Sequence, residues 1–241
     1  PYAVLLNSDV RTTPGWLNPI ADHFTAHPNC AALQPKILWD HQPDSFEYAG
    51  ASGGFIDALG YPFCRGRILH HLESDIGQYN QPCKVFWATG ACLALRTSVF
   101  KELGGLDPML FAHMEEIDLC WRMQRAGYDI WVQPESTVFH LGGATLQMNS
   151  SKKTYLNFRN NLSILVKNLP HHQAIVLVFV RLILDGLAGF KFLFEGKPKH
   201  TFAIIKAHFA FYGRFSKIQR ARAATAKHPF KKLSDLTGTY F

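Results

Sequence analysis

Acidic side chains crowd the start of one amphipathic helix, in the segment FAHMEEIDLCWR. Because successive helical residues turn by about 100°, Glu115 and Asp118 share one face of this helix. Arg122 and Arg125 follow on the same face, at the spacings at which acid–base pairs stabilise a helix by roughly 0.2–0.5 kcal/mol each. We therefore predict that ion pairs hold this face together.

Glu116 points about 100° away from that face and has no basic partner along its own helix. It lies in the first helical turn, where the positive end of the helix dipole favours an ionised carboxylate. An ionised, unpaired carboxylate on a rigid helix can act as a general base, so Glu116 is our candidate catalytic residue and Glu115 a second one. The alternative is that Glu116 is only a solvated acid favoured by the dipole.

Two further groups that could bind a metal follow apolar runs. YAVLL is followed by Asn7, Ser8 and Asp9, and STVF is followed by His140. In open α/β sheets, ligands bind outside the carboxyl ends of the strands. A carboxylate there suits Mg²⁺ or Mn²⁺, and Mn²⁺ also accepts imidazole, so we predict a mixed oxygen and nitrogen site. The alternatives are turn-forming residues at a strand end and a packed or capping histidine.

An α/β pattern would position these groups. We predict a buried strand at residues 2–6, a helix at residues 13–27 and a second strand at residues 31–38. Gly and Pro are frequent between residues 40 and 81, which indicates hairpins and a long surface loop. Strand, helix and strand in this order indicate an α/β layer.

The second part of the pattern ends in helices. The acidic helix extends to Gly127, and two short strands are predicted after it, at residues 128–133 and 136–140. Three helical stretches follow, roughly at residues 152–168, 171–195 and 199–222. Because no strand pattern separates these stretches, we place a boundary near residue 150.

The composition is that of a folded protein with a basic C-terminal part. The 241 residues are 47% hydrophobic and 18% charged, with a formal charge of +7. Most of the excess Lys and Arg follow residue 150, which indicates an anionic partner such as a membrane surface or a phosphate-bearing substrate. Five cysteines without C-x-x-C spacing argue for a reducing compartment. The chain starts inside an apolar run without Met, so we expect it to be a piece of a longer protein.

Five motifs occur in the order found in one protein family. They are LLNSDV, TGA, GGLDPMLF, the acidic MEEIDLCWR and VFHLGG. In this order they resemble the inverting family 2 glycosyltransferases, in particular the bacterial rhamnosyltransferase-like members. The similarity is dense over residues 1–150 and extends more loosely through YLNFRNNLSILVKNLP. It implies an α/β fold with a GT-A-like mixed sheet, N-terminally truncated, followed by an α-helical appendage.

The resemblance implies roles for the residues in these motifs. Asp9 and His140 would ligate Mn²⁺ or Mg²⁺ on the diphosphate of a nucleotide-sugar donor. Glu116, the second acid of its pair, would deprotonate the acceptor hydroxyl, with Glu115 as the lesser candidate. The metal would neutralise charge on the departing nucleotide, while the acceptor oxygen attacks the anomeric carbon from the opposite face.

The same resemblance implies a set of substrate-binding positions. Gly90 and Ala91 would line the acceptor side, and Asp107 would support the loop that leads to the acid. Asn7 and Asp118, which belong to the matching motifs, complete the predicted set.

Two features depart from the family pattern. The family usually has Asp at the position of Glu116, whose side chain is one methylene longer. The family's first βαβ portion, which binds the nucleotide base and ribose, has no counterpart here. We therefore divide the chain into a catalytic unit at residues 1–150, with the metal, acceptor and base positions, and a basic helical region at residues 151–241.

The helical region raises the question of a membrane. Residues 174–194 are apolar but are interrupted by Arg181, Asp185 and Lys191, so no run reaches the roughly 20 nearly uncharged residues that a span needs. We predict that this helix lies on the membrane, with the basic residues after it on anionic headgroups. The alternative is an ordinary amphipathic helix with a solvated tail. Nucleic acid is not an expected partner, because no recognition motif accompanies the basic residues.

The sequence thus predicts an inverting, metal-assisted glycosyltransferase of cell envelope polysaccharide biosynthesis. It would transfer a sugar from a nucleotide-diphosphate donor to a glycan or lipid-linked glycan acceptor, in the cytoplasm at the inner face of the cell membrane. A competing hypothesis is a non-catalytic, membrane-associated scaffold derived from such an enzyme. A nucleotidyltransferase is a third hypothesis, for which a Gly-rich basic phosphate loop would be expected.

Overall fold

The computed structural model describes residues 1–48, 50–68, 71–142 and 150–240. In these ranges the strands are β1 (Tyr2–Leu6), β2 (Val10–Thr12), β3 (Cys30–Trp39), β4 (Gln42–Phe46), β5 (Gly54–Asp57), β6 (Pro62–Cys64), β7 (Arg67–Ile68), β8 (His71–Leu72), β9 (Cys83–Lys84), β10 (Cys92–Arg96), β11 (Asp129–His140) and β12 (Thr239–Tyr240). The helices are α1 (Leu17–Ala26), α2 (Thr97–Glu102), α3 (Glu115–Arg125), α4 (Ser151–Asn168), α5 (His171–Phe194), α6 (Pro198–Gly213) and α7 (Phe215–Ala224), with a 3₁₀ helix at Leu233–Asp235.

The central sheet is mixed, as the sequence predicts. Its order within the described ranges is β1, β10, β3, β11, β2, with β4 added to β3 and β9 added to β11. β3 and β11 run parallel, whereas β10 is antiparallel to both β1 and β3. The end of β11 pairs His140 with Val10 of β2 and with Trp39 of β3. Because Asp9 directly precedes β2, this register brings Asp9 next to His140.

β11 is one continuous strand, although the sequence predicts two short ones at residues 128–133 and 136–140. Its register against β3 shifts between Gln133 and Thr137. Pro134 lies within this shift and has no N–H to donate to the ladder. The strand therefore bulges at the proline instead of ending there.

Two helices also differ from the prediction. α1 begins at Leu17 rather than near Thr13, because Gly15 has a φ of 73° and this left-handed backbone cannot belong to the helix. The stretch predicted as one helix at residues 199–222 consists of α6 and α7, which meet at Arg214. Gly213 precedes the break, and glycine weakens a helix interior.

One hydrophobic core connects the sheet with the helices packed on it. It includes Leu93 of β10, Trp121 of α3 and Leu165 of α4, all fully buried. Near the C-terminal end, β12 pairs in parallel with β5. α4 therefore packs into the same core as the sheet, and a boundary near residue 150 stays a prediction.

Candidate active site

A buried imidazole lies between two carboxylates at the carboxyl end of β11. His140 Nε2 is 3.2 Å from Asp9 Oδ1, and His140 Nδ1 is 3.3 Å from Glu47 Oε1. Burial alone would lower the pKa of His140, but the hydrogen bond and charge of Glu47, together with Asp9, raise it overall. The structure thus brings together Asp9 and His140, the two predicted metal ligands. Glu47, which follows β4, joins them without having been predicted.

These donor atoms are of the types that bind a divalent cation. Carboxylate oxygens suit Mg²⁺ and Mn²⁺, and the imidazole nitrogen suits Mn²⁺. Across the described ranges, no group of three or more His, Cys, Asp or Glu is arranged to hold a metal by itself. Phosphate oxygens and waters would therefore complete the coordination, as is usual for Mg²⁺. A cavity of about 320 Å³ opens beside Glu47, with Trp39, Tyr48 and Gly142 in its wall.

Glu116 is the second residue of helix α3 and lines a second cavity, of about 340 Å³. A Cβ added to Gly90 would lie 3.9 Å from the Glu116 side chain, and the backbone of Gly90 hydrogen-bonds the carboxyl group. Oε2 of Glu116 is buried and has no hydrogen-bond partner among the described residues. This oxygen is therefore placed to accept a proton from a hydroxyl group in the cavity.

Burial raises the pKa of Glu116. Desolvation and the charge of Glu115 raise the pKa of Glu116 to about 8, against the backbone hydrogen bonds that favour the ionised form. Desolvation also raises the pKa of Glu115. The prediction that the helix dipole keeps Glu116 ionised is wrong, because the loss of water outweighs the dipole. A pKa near the working pH nevertheless suits a general base.

The backbone that leads to Glu116 has an uncommon conformation. Three of its residues have φ between 65° and 74°, the left-handed region that side chains disfavour. They are Phe111, His113 and Met114. Such conformations cost on the order of 1–3 kcal/mol each and persist only where surrounding contacts impose them.

A buried amide from α4 imposes this conformation. Nδ2 of Asn160 donates to three carbonyl oxygens of the segment, at 2.9, 2.9 and 2.8 Å. They belong to Leu110, Ala112 and His113. Arg159, beside it on α4, also donates to the carbonyl oxygen of Leu110, at 3.0 Å. The loop before the acidic helix is thus held by α4.

Asp118 and Asp107 lie in a buried ionic network away from the Glu116 cavity. Asp118 Oδ2 is 2.9 Å from Arg122 Nε and 2.8 Å from Lys167 Nζ. Lys167 also contacts Asp107 Oδ2, at 2.5 Å, and Asn168 donates to Asp118 Oδ1. Asp107 therefore ties its loop to α4, and its role in supporting the approach to the acid stays a prediction. Asp118 has no exposed surface, so we do not place it against substrate.

The ion pairs of the acidic helix differ from those predicted. Asp118 pairs with Arg122, but Glu115 forms no ion pair within the described ranges. Arg125 instead donates to the carbonyl oxygens of Thr225 and His228, at 2.9 and 2.8 Å. Carbonyl groups at the end of a helix lack intrahelical donors and attract cations, which explains why the end of α7 takes this arginine.

The cavity of Glu116 and the cavity beside Glu47 adjoin each other. The backbone N–H of Asn7 donates to the carbonyl oxygen of Ala91 at 3.0 Å, so the end of β1 lies beside the turn that carries Gly90. Tyr48 lines both cavities. Glu116 and Glu47, which contacts His140, therefore line two adjoining parts of one cleft.

The amino-acid sequence of this chain matches the model of one protein family. The model described as "Glycosyltransferase like family 2" matches residues 1–159. The chain belongs to this family. Membership confirms the resemblance carried by the motifs, and the mixed sheet is the GT-A-like fold that the resemblance implies.

Several known proteins are similar to this family 2 chain. The N-acetylglucosaminyl-diphospho-decaprenol L-rhamnosyltransferase of Mycobacterium tuberculosis is 30% identical over 155 residues, which are 58% of this chain and 46% of that protein. The pre-mycofactocin glycosyltransferase of the same organism is 27% identical over 143 residues, 58% of this chain and 26% of that protein. The chain thus spans less than half the length of these relatives.

One solved structure is similar at lower identity. It is the crystal structure of GalNAc-T7 with UDP, GalNAc and Mn²⁺, with a TM-score of 0.48 and 15% identity. The match covers 71% of this chain and 32% of that chain.

Several residues in or near the cleft of this family 2 chain were not predicted from the sequence. Glu47, Tyr48 and Arg67 lie in the Gly- and Pro-rich stretch, which has no periodicity to assign them to a site. Asn160 and Lys153 lie on α4, in the part where the family resemblance is loose. The segment YLNFRNNL offered one signal, because buried Asn side chains on a helix need partners outside it.

Proposed function

We propose that this chain is the acceptor and base portion of an inverting glycosyltransferase. The enzyme would transfer a sugar from a nucleotide-diphosphate donor to a hydroxyl of a glycan or lipid-linked glycan. One observation carries the proposal. Glu116, whose Oε2 has no hydrogen-bond partner among the described residues, lines a cavity that shares Tyr48 with the cavity beside Glu47, and Glu47 contacts His140 of the Asp9–His140 pair. This arrangement supports a proton acceptor and a site for a charged leaving group in neighbouring parts of one cleft.

The proposed reaction is a single displacement. Glu116, in its ionised form, takes the proton of the acceptor hydroxyl, and the acceptor oxygen forms a bond to the anomeric carbon. The bond from that carbon to the donor diphosphate breaks on the opposite face, and the nucleoside diphosphate leaves with the electron pair. The step needs one base and no protein nucleophile, and it inverts the anomeric configuration.

Asp9 and His140 are the residues that would hold Mn²⁺ or Mg²⁺. When bound, the ion would supply positive charge to the diphosphate of the leaving group. The protein's own contribution is to keep both ligands adjacent by the pairing of Val10 with His140, with Glu47 fixing the imidazole from its other side. A hydrogen-bonded partner of this kind orients an imidazole ligand and sets its tautomer.

The relatives suggest the class of acceptor. The Mycobacterium tuberculosis relative is named for a lipid-linked diphosphate substrate, N-acetylglucosaminyl-diphospho-decaprenol. We extend to this chain the coarser inference that the acceptor is a lipid-linked glycan. Such an acceptor would place the enzyme at the inner face of the cell membrane, in the synthesis of cell envelope polysaccharide.

One face of α5 supports this location. Arg181 and Asp185 are buried at 2% and 0% exposure, on the side that packs against the protein. The opposite side exposes large apolar residues, each more than half exposed. They are Phe179, Ile183, Leu187 and Phe190. No helix within the described ranges combines the length and apolarity needed to cross a bilayer. An exposed apolar face with basic residues nearby suits adsorption to an anionic membrane.

Sugar transfer by the full-length protein tests the proposal. We expect transfer from a nucleoside-diphosphate sugar to a prenyl-diphosphate glycan in the presence of Mn²⁺ or Mg²⁺. Glu116→Gln should abolish transfer and leave donor binding intact, and unchanged turnover would refute the assigned base. Asp9→Ala and His140→Ala should weaken metal binding measured by calorimetry. A full-length protein with neither transfer nor metal binding would instead support the scaffold hypothesis.

A further inference from the structure

Two cations lie against one aromatic ring where the two cavities adjoin. Arg67 Cζ is 4.0 Å from the centroid of the Tyr48 ring, and Lys153 Nζ is 5.4 Å from it. Both cations line the cavity of Glu116, and Tyr48 lines this cavity and the one beside Glu47. The three side chains come from the segment after β4, from β7 and from the first turn of α4, so only the fold brings them together.

The charges of this pair are poorly compensated. Nε of Arg67 is buried and has no hydrogen-bond partner among the described residues. Within the same ranges, neither Arg67 nor Lys153 forms an ion pair. Burial and the charge of Arg67 lower the pKa of Lys153, while Glu47 opposes the shift. Two like charges held together and partly out of water are unfavourable until an anion binds between or beside them.

We propose that Arg67 and Lys153 form a clamp at Tyr48 that binds the diphosphate group of a substrate. The inference rests on the proposed transferase function, which names two substrates that carry a diphosphate. The clamp lines the cavity of Glu116, where the acceptor would lose its proton, and contacts Tyr48, which also lines the cavity beside Glu47. A guanidinium binds phosphate oxygens in pairs and an ammonium acts as a compact point charge, so the two cations complement each other.

Calorimetric titration of this chain with inorganic pyrophosphate, in EDTA to remove divalent metals, tests the clamp. We expect Arg67→Gln and Lys153→Gln each to weaken binding about tenfold or more, because each removes a charge-assisted hydrogen bond. Lys152→Gln is the matched control, since Lys152 is the exposed neighbour of Lys153 and lines a different cavity. It should change the affinity by less than about twofold.

Equal affinity in the wild type, Arg67→Gln and Lys153→Gln would overturn the clamp. So would an equal loss in Lys152→Gln, which would indicate attraction by net charge alone. Circular dichroism of each variant checks that it is folded, and Arg67→Lys provides a second variant that keeps the charge. This variant should retain more pyrophosphate affinity than Arg67→Gln, and equal losses in both would contradict a role of the charge.

Two further ligands distinguish the source of the diphosphate. If Arg67→Gln and Lys153→Gln lose affinity only for a nucleoside diphosphate, the clamp binds the donor. If they lose affinity only for farnesyl diphosphate, the clamp binds the lipid-linked acceptor. If they lose affinity for both ligands, the clamp recognises the diphosphate group that both substrates share. Each of these results supports the clamp. Transfer activity with unchanged pyrophosphate binding would refute the clamp alone. Weakened pyrophosphate binding in a full-length protein without transfer would refute the transferase alone.

Discussion

Nδ2 of Asn160 lies 2.8 Å from the carbonyl oxygen of His113. The same amide group also holds two earlier carbonyl groups of the segment, and Asn160 itself is fully buried. A side chain of α4 therefore fixes the left-handed backbone directly before the helix that carries Glu116. Since a bound geometry must be precise for a base to act, Asn160 is a positioning residue for the proposed reaction.

Asn160→Ala should lower kcat of the full-length enzyme roughly 10²-fold, because the loop can then relax and displace Glu116. KM for the donor should change little. Ser163→Ala is the control, since Ser163 is also buried in α4 but its hydroxyl donates to the carbonyl oxygen of Arg159 in the same helix, at 2.8 Å. Steady-state kinetics and the melting temperature measured on both variants separate positioning from stability. Equal losses of kcat in the two variants would contradict the positioning role.

The sequence predicted the parts of the molecule that follow local rules. β1 and β3 come from short apolar runs, the α3 helix from its helical periodicity, and the pairing of Asp118 with Arg122 from helical spacing. The proximity of Asp9 and His140 was predicted because Asp9 follows β1 and His140 ends β11, and the carboxyl ends of strands in an open α/β sheet meet at one edge.

What the sequence missed depends on long-range contacts. The ionisation of Glu116 is set by burial in a cavity whose walls come from several distant segments, which no helical spacing reports. Arg125 leaves the acidic face because the end of α7 packs nearby. Arg67 and Lys153 lie 86 positions apart and become neighbours only through Tyr48. In each case tertiary structure overrides the local pattern.

Glu116→Gln should stabilise the protein while it removes activity. The ordinary pKa of Glu, 4.5, applies to the unfolded chain, whereas the folded state raises it to about 8. Between these values the folded protein holds the extra proton, so the free energy of unfolding falls as pH rises. Gln cannot ionise, so the variant avoids the cost of a buried charge. We expect its free energy of unfolding at pH 8 to exceed that of the wild type by about 1 kcal/mol or more, since one pKa unit is about 1.4 kcal/mol.

Urea unfolding at pH 5 and pH 8 measures this difference. Glu116→Gln should show little advantage at the lower pH and a clear one at the higher pH. Lower stability of the variant at both values would show that Glu116 is not an unfavourably buried acid.

The rate of transfer should rise with pH through about 8, because only ionised Glu116 can accept the acceptor's proton. Glu115→Gln should move this rise to lower pH, since the charge of Glu115 contributes to the raised pKa of Glu116. The profile of kcat/KM against pH, recorded at saturating metal, measures both effects. If kcat/KM of Glu115→Gln rises at the same pH as in the wild type, Glu116 is not the titrating group.

Lys167→Met should destabilise the protein by about 3–5 kcal/mol, because it removes the cation shared by the buried Asp118 and the partly exposed Asp107. Lys167 contacts Asp107 and Asp118 and is 3% exposed. Lys227→Met, which removes an exposed pair with Glu102 at 3.8 Å, should cost less than about 1 kcal/mol. Denaturant unfolding at neutral pH compares the two variants.

The same network predicts acid sensitivity. Burial alone would raise the pKa of Asp118, but Arg122 and Lys167 lower it below its ordinary value of 3.8. The stabilisation is therefore present above that value and is lost as the pH falls through the pKa of the folded state. In Lys167→Met the loss should begin at a higher pH, and an unchanged acid transition would contradict the contribution of Lys167 to the lowered pKa of Asp118.

Phe179→Ser with Phe190→Ser should reduce binding to anionic vesicles. Both side chains are exposed, at 65% and 63%, on the face of α5 opposite the buried Arg181 and Asp185. Burial of one such ring in the interface contributes roughly 1.5–3 kcal/mol, so the pair should lower the partition coefficient at least about tenfold. Flotation with vesicles of phosphatidylglycerol and phosphatidylcholine measures this loss. Ile76→Ser is the control, because Ile76 is an apolar residue before β9 that is 85% exposed. This variant should bind vesicles as the wild type does. An equal loss of binding in Ile76→Ser would mean that adsorption is not specific to α5.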